Sequence, residues 1–190
     1  MKWSSETLAY RRVGGRDLLA EVCFPEGAEA SGPVILWVHG GGGLIFGSRK
    51  EIAPARLDKW LMNEFVVVAI DYRWARGTEL PELFTDIEAA DGWVRAEGPR
   101  LWGGDPERVA CVGHSAGAYL GLSIRWLLPG RPRPLAVVSL YGYGDIGGRW
   151  YTVPDAHYSS LGRVAQNDAY SVVGNSGISD APGSSRLSHF

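Results

Sequence analysis

Four short apolar runs constrain this chain more than anything else in it. They are "VILWVH" at 34–39, "FVVVAID" at 65–71, "VACV" at 109–112 and "LAVVSL" at 135–140. None alternates apolar with polar residues along its centre, so each is read as a strand buried on both faces. The stretches between them carry helical spacing instead. Residues 51–63 put Ile52, Leu57, Trp60 and Leu61 near one face. The segment from Leu80 opens with Pro81, which suits a first helical position, and lines up Leu83, Ile87, Ala90 and Val94. Residues 116–128 form a third helix, stopped by "PGRPRP". Ahead of all these lie two strand-like runs, 7–13 and 17–24, joined by "VGGR", a hairpin signal. The order ββ, three times βα, then β predicts an α/β fold: a mostly parallel sheet with helices on both faces and an antiparallel N-terminal hairpin at one edge.

At 190 residues there is enough chain for one sizeable core. A net charge of −2 gives no electrostatic case for nucleic acid or an anionic membrane surface. Two cysteines, Cys23 and Cys111, are too few for a disulfide scaffold. The start lacks the apolar stretch of a signal peptide, and no run of ~20 apolar residues spans a membrane. A cytoplasmic protein is expected. The composition then shifts: glutamate ends at Glu107, lysine at Lys59, and apolar periodicity fades from about Gly142 onward.

Chemistry concentrates in "GHSAG", Gly113 to Gly117. A G-x-S-x-G match is weak by itself; a chain this rich in glycine gives about 0.3 of them by chance. Placement strengthens it. The motif follows an apolar strand and opens a helix, as a nucleophile elbow requires. Ser115 then sits on a strained turn, with glycines where strand and helix crowd it. The helix behind Ser115 offers free N–H groups to a developing oxyanion. A second element, "HGGGGLIFGS" at 39–48, leaves the first buried strand. Its glycines let backbone amides approach a substrate oxygen. It fits neither a dinucleotide-binding G-x-G-x-x-G opening a helix nor a P-loop with G-K-[ST].

Together "HGGG" (39–42), "DYR" (71–73), "GGDPERV" (103–109) and "GHSAG" (113–117) resemble the α/β-hydrolase esterases and lipases related to hormone-sensitive lipase. The order and spacings match over roughly residues 5 to 145. The resemblance implies a carboxylic-ester hydrolase with Ser115 as nucleophile, an oxyanion hole of Gly41, Gly42 and Ala116, and no cofactor or metal. Four glycines follow His39, so the register can shift to Gly42 and Gly43. Asp71 and Arg73 resemble a pair that braces the strand-to-loop turn. His39 and His114 are read as structural, His39 organising the glycine loop. Trp74, Tyr141 and Tyr143 follow strand ends on the catalytic side, where acyl-pocket lining and ordinary packing compete.

The rest of a triad is hard to place. In this fold the order is Ser, then Asp or Glu, then His, each step needing a strand, loop and usually helix, of order 30 residues. Only 75 residues follow Ser115. They hold Asp145, Asp155, Asp168 and Asp180, with His157 and His189. Asp145 comes too early, Asp155 and His157 are too close together, and no strand precedes His189. The expected organisation is a hydrolase core at 1–145, incomplete at its C-terminus, and a loop-rich cap start or irregular tail at 146–190. A fragment of little activity is expected; a complete chain using His189 is the alternative. The expected partner is a small-molecule ester, with self-association possible through an exposed sheet edge. A non-catalytic small-molecule binding protein of the same fold is the alternative function.

Overall fold

The computed structural model describes residues 2–27, 32–41, 44, 46–75, 78–127, 130, 132–162, 165 and 167–168, less the side chains of 125–127. Strand β1 (Trp3–Val13) turns into β2 (Arg16–Pro25) through Gly14 and Gly15, at φ 56° and 79°. Positive φ at both central residues is what a two-residue hairpin turn with the strands' own twist demands. Then come β3 (Gly32–Val38), α1 (Pro54–Met62), β4 (Val66–Ile70), α2 (Leu80–Trp102), β5 (Gly104–His114), α3 (Ala116–Leu127) and β6 (Ala136–Leu140). Beyond β6 the described chain forms a 3₁₀ turn at Arg149–Tyr151 and the short α4 (Ala156–Ser160).

The six strands form one sheet in the order β1-β2-β4-β3-β5-β6. The hairpin pairs antiparallel with β4, and the remaining contacts are parallel. The expected α/β architecture is the one found. Period-two geometry splits the apolar runs of β3, β4 and β5 between two cores, whereas the expected two-faced burial fails for β6, which lies at the sheet edge and has no buried residue. Val34, Leu36 and Val38 of β3 join Val66, Val68 and Ile70 of β4 beneath Leu83, Ile87, Ala90 and Val94 of α2 and Leu120 and Ile124 of α3. Ile35, Trp37, Ala69 and Val112 face the other way, toward Trp60 of α1. That two-sided demand is why the runs contain no polar break.

Two helices differ from their sequence expectation. Residues 49–51 form a 3₁₀ turn capped by Ser48, and α1 proper starts at Pro54, whose missing N–H costs nothing at a first helical position. Helix α2 is entered through a reciprocal capping box of Glu79 and Glu82 and runs on through Pro99 to Trp102. It stops at Gly103, in the left-handed conformation at φ 67°. Trp102 is buried against Trp93, centroids 5.1 Å apart, which compensates the bond lost at Pro99.

Candidate functional site

The parallel strands β3, β5 and β6 all end at one edge of the sheet, and every sequence-predicted site element leaves from there. Ser115 lies between β5 and α3 with φ 51°, a left-handed backbone in a residue with a side chain. Backbone hydrogen bonds hold that strained turn. The Ser115 amide donates to the Leu140 carbonyl at 2.9 Å, and its carbonyl accepts from Ala118 N at 3.0 Å. The flanking glycines are sterically required. A Cβ on Gly113 would run into the Gly117 backbone, and one on Gly117 into the Val38 and His39 carbonyls. Ala116 opens α3, so its amide is among the first-turn donors that have no intrahelical acceptor.

The glycine loop reaches the same place by a different device. The Gly40 amide donates to His114 Nε2 at 2.9 Å, tying the end of β3 to the residue before Ser115. Gly41 follows at φ 152°, with the Phe46 carbonyl where a Cβ would sit. Of the predicted oxyanion amides, Gly41 and Ala116 are therefore brought to one edge; Gly42 and Gly43 lie outside the described residues. Leu44, further along the loop, and Ala116 both line one cavity of about 490 Å³. Leu80, Tyr119, Tyr143, Ile146 and Tyr151 complete most of its apolar wall. That volume is in the range that encloses a small organic molecule.

Neither nearby histidine is placed as a base. His39 is fully buried, stacked on Tyr72 with centroids 4.2 Å apart, and its Nδ1 lies 2.5 Å from the Gly40 carbonyl. Burial without a countercharge pushes its pKa down to about 3. His114 stacks on Trp37, and burial followed by the nearby Arg56 charge lowers its pKa as well. The third described histidine, His157, is exposed and lies edge-on to Tyr158, while Asp155 caps α4 through the His157 and Tyr158 amides. Among the described residues no histidine pairs with a carboxylate, and no three His, Cys, Asp or Glu side chains gather as a metal group. Asp180 and His189 lie outside the described residues.

Asp71 and Arg73 both brace the β4-to-loop turn, but through separate partners. Asp71 accepts from the Arg49 amide at 2.8 Å and pairs with its guanidinium. Arg73 donates to the buried Asp86 through Nε at 2.8 Å, and Arg11 reaches the same carboxylate at 2.8 Å. Tyr143 lines the cavity, Trp74 is buried, and Tyr141 projects into solvent with its hydroxyl 3.2 Å from His114 Nδ1. Tyr119 and Tyr151 were not singled out in the sequence. Tyr119 is three residues after Ala116, hence on the same helical face, and "YGYGDIGGRWY" is dense in aromatics; both signals were available.

A family model described as BD-FAE matches residues 20–125, more than half of the chain. The chain belongs to the BD-FAE family. This is an esterase family of the α/β-hydrolase type. Among solved structures, the BD-FAE chain resembles bacterial heroin esterase, 26% identical with a TM-score of 0.65, over 74% of this chain and 45% of that one. A Thermogutta terrifontis esterase 2, phosphonylated by sarin, shares the fold at 21% identity and a TM-score of 0.68, over 83% and 61% of the two chains. Curated relatives include the non-reducing polyketide synthase ausA of Aspergillus calidoustus, 33% identical over 175 residues, 86% of this chain. Another is the synthase atr1 of Stereocaulon alpinum, 33% identical over 147 residues, 72% of this chain. The BD-FAE chain spans only 7% and 6% of those two synthases. Its lineage is one of ester hydrolases, and no helix among its described residues is long and apolar enough to cross a membrane.

Proposed function

We propose that this chain carries an acyl-transfer site for carboxylic esters, with Ser115 as nucleophile. The observation that carries the reading is the left-handed Ser115 between β5 and α3, beside a cavity that Ala116 helps to line. Ser115 Oγ attacks the ester carbonyl carbon. Negative charge collects on the carbonyl oxygen, where the Ala116 and Gly41 amides, with Gly42, act as donors; a shift to Gly42 and Gly43 serves equally. Collapse expels the alcohol and leaves an acyl-enzyme, which water then hydrolyses. The Ser115 proton needs a base, and His39 and His114 are both engaged elsewhere. This reading places the base among residues outside those described, His189 included. Without one, oxyanion stabilisation and binding alone sustain an acceleration of about 10³ over water. A thioester is the sulfur analogue of the same acyl donor and is attacked at the same carbonyl carbon, so thioesters belong beside oxygen esters as candidate substrates.

The test is labelling of the full chain by a fluorophosphonate, read by intact mass, together with hydrolysis of p-nitrophenyl acetate and butyrate and of an N-acetylcysteamine thioester. Wild type gains one adduct and Ser115→Ala gains none. Equal hydrolysis in the two proteins refutes the serine mechanism. A second reading, a small-molecule binding protein, rests on the apolar cavity and on the lack of a histidine–carboxylate pair among the described residues. It predicts saturable ligand binding that survives Ser115→Ala, with no adduct in either protein.

A further inference from the structure

We propose that His114 is a positioning residue whose neutral ring clasps the Gly40 amide to the Tyr141 hydroxyl and so sets the glycine loop against the Ser115 turn. The bonding pattern fixes the state of the ring. Nε2 accepts from the Gly40 amide at 2.9 Å, so it carries no hydrogen. A neutral imidazole then has its hydrogen on Nδ1, which donates to the Tyr141 oxygen at 3.2 Å. Trp37 stacks on the ring with centroids 5.0 Å apart and 26° between planes, which fixes its tilt. The clasp therefore joins the ends of β3, β5 and β6. It also accounts for the first glycine of the loop: a Cβ on Gly40 would lie 2.8 Å from the His114 ring. With the Gly40 amide already engaged, the amides left for a substrate start at Gly41.

The same geometry makes the clasp sensitive to protonation. A proton taken from solvent by Nε2 sets one N–H against another, and the Gly40 bond is lost. The charged and titratable groups around the ring do not favour that proton. Arg56 of α1 stands over Trp37 at 5.3 Å and repels it, His39 just past β3 disfavours a second charge beside its own ring, and Tyr141 just past β6 offers only a hydroxyl. The clasp is thus closed near neutral pH and opens in acid.

The link to oxyanion positioning rests on the Ser115 reading, so the experiment has two independent readouts. The first is amide exchange at Gly40 and the ¹⁵N shifts of the His114 ring by NMR on the full chain. Gly40 exchange, corrected for its intrinsic rate, rises about tenfold in His114→Ala, the equivalent of one net hydrogen bond. It stays protected in His114→Gln, whose amide oxygen substitutes for Nε2, and there loses the acid-induced step of wild type. Unchanged exchange in His114→Ala, or an Nε2–H tautomer at neutral pH, overturns the clasp. The second readout is the rate of fluorophosphonate capture at Ser115, which falls in His114→Ala and is rescued in His114→Gln. If capture is equal in all three proteins while Gly40 exchange differs, the positioning role is overturned. If wild type takes up no probe, the Ser115 reading fails, and the clasp is decided by exchange.

Discussion

Acidification should weaken this fold through one buried ring. His39 is wholly enclosed, its Nδ1 bonded to the Gly40 carbonyl, and its Nε2 has no partner among the described residues. A proton on Nε2 would be a buried charge facing no acceptor. The pKa falls from its ordinary 6.5 to about 3. Between those values the unfolded chain binds the proton and the folded chain does not, so stability rises with pH. The neutral ring's full contribution is present above about pH 6.5, shrinks as pH falls, and is gone below about pH 3. Each pH unit in that window is worth up to about 1.4 kcal/mol, so pH 4.5 removes about 3 kcal/mol relative to pH 7. Against the usual 5–15 kcal/mol of a domain that is a large share. Carboxylates titrate in the same window, so the comparison is with His39→Asn, whose side-chain amide replaces Nδ1 and does not titrate. Urea unfolding of both proteins should show wild type ahead at pH 7 and its lead smaller by about 3 kcal/mol at pH 4.5. A constant lead across that range would refute the reasoning.

Further perturbations separate the contributions of backbone, charge and sheet edge. Gly117→Ala pushes a methyl into the Val38 and His39 carbonyls, which no side-chain rotation relieves; a loss of about 3 kcal/mol is expected in urea unfolding. Asp86→Asn removes the charge shared by Arg73 and Arg11 inside the protein and should cost about 3 kcal/mol, read the same way. Strand β6 is an edge strand among the described residues, with Val138 43% exposed. If copies associate there, Val138→Lys shifts sedimentation toward monomer and leaves the urea midpoint unchanged.

The sheet was legible wherever a residue's demand is local. Runs such as "VILWV" declare burial on two faces because both period-two sets are apolar, and the structure sends them to two cores. In "GHSAG" the demand on Gly113 is local, because what it avoids is the Gly117 backbone four residues on, whereas Gly117 avoids the Val38 and His39 carbonyls about 80 residues earlier. Other features depend on partners far off in the chain. Nothing in "GHSAG" says that His114 will meet Gly40, 74 residues earlier, or that Arg49, rather than Arg73, will hold Asp71. The last turn of α2, past Pro99, rests on the tilted packing of Trp102 against Trp93, a side-chain contact that helical spacing alone does not show. A chemical base for Ser115 is found neither in the sequence order nor among the described residues: His39 and His114 are read as structural, and each is held by a contact within the glycine loop.

The strand order has a consequence for how the chain is made. Strand β3 sits at the centre of the parallel sheet, between β4 and β5, yet both neighbours are encoded after it. During synthesis it leaves the ribosome with two open edges and two apolar faces. At typical elongation rates of 5–20 residues per second, β5 follows roughly 4–15 s later. Both edges of "VILWV" are unpaired until β4 emerges and one stays so until β5; uncharged and rich in β-branched residues, it is the kind of segment that other nascent chains and holding chaperones bind. The centre of the finished sheet is the part of the newborn chain that waits longest for its neighbours.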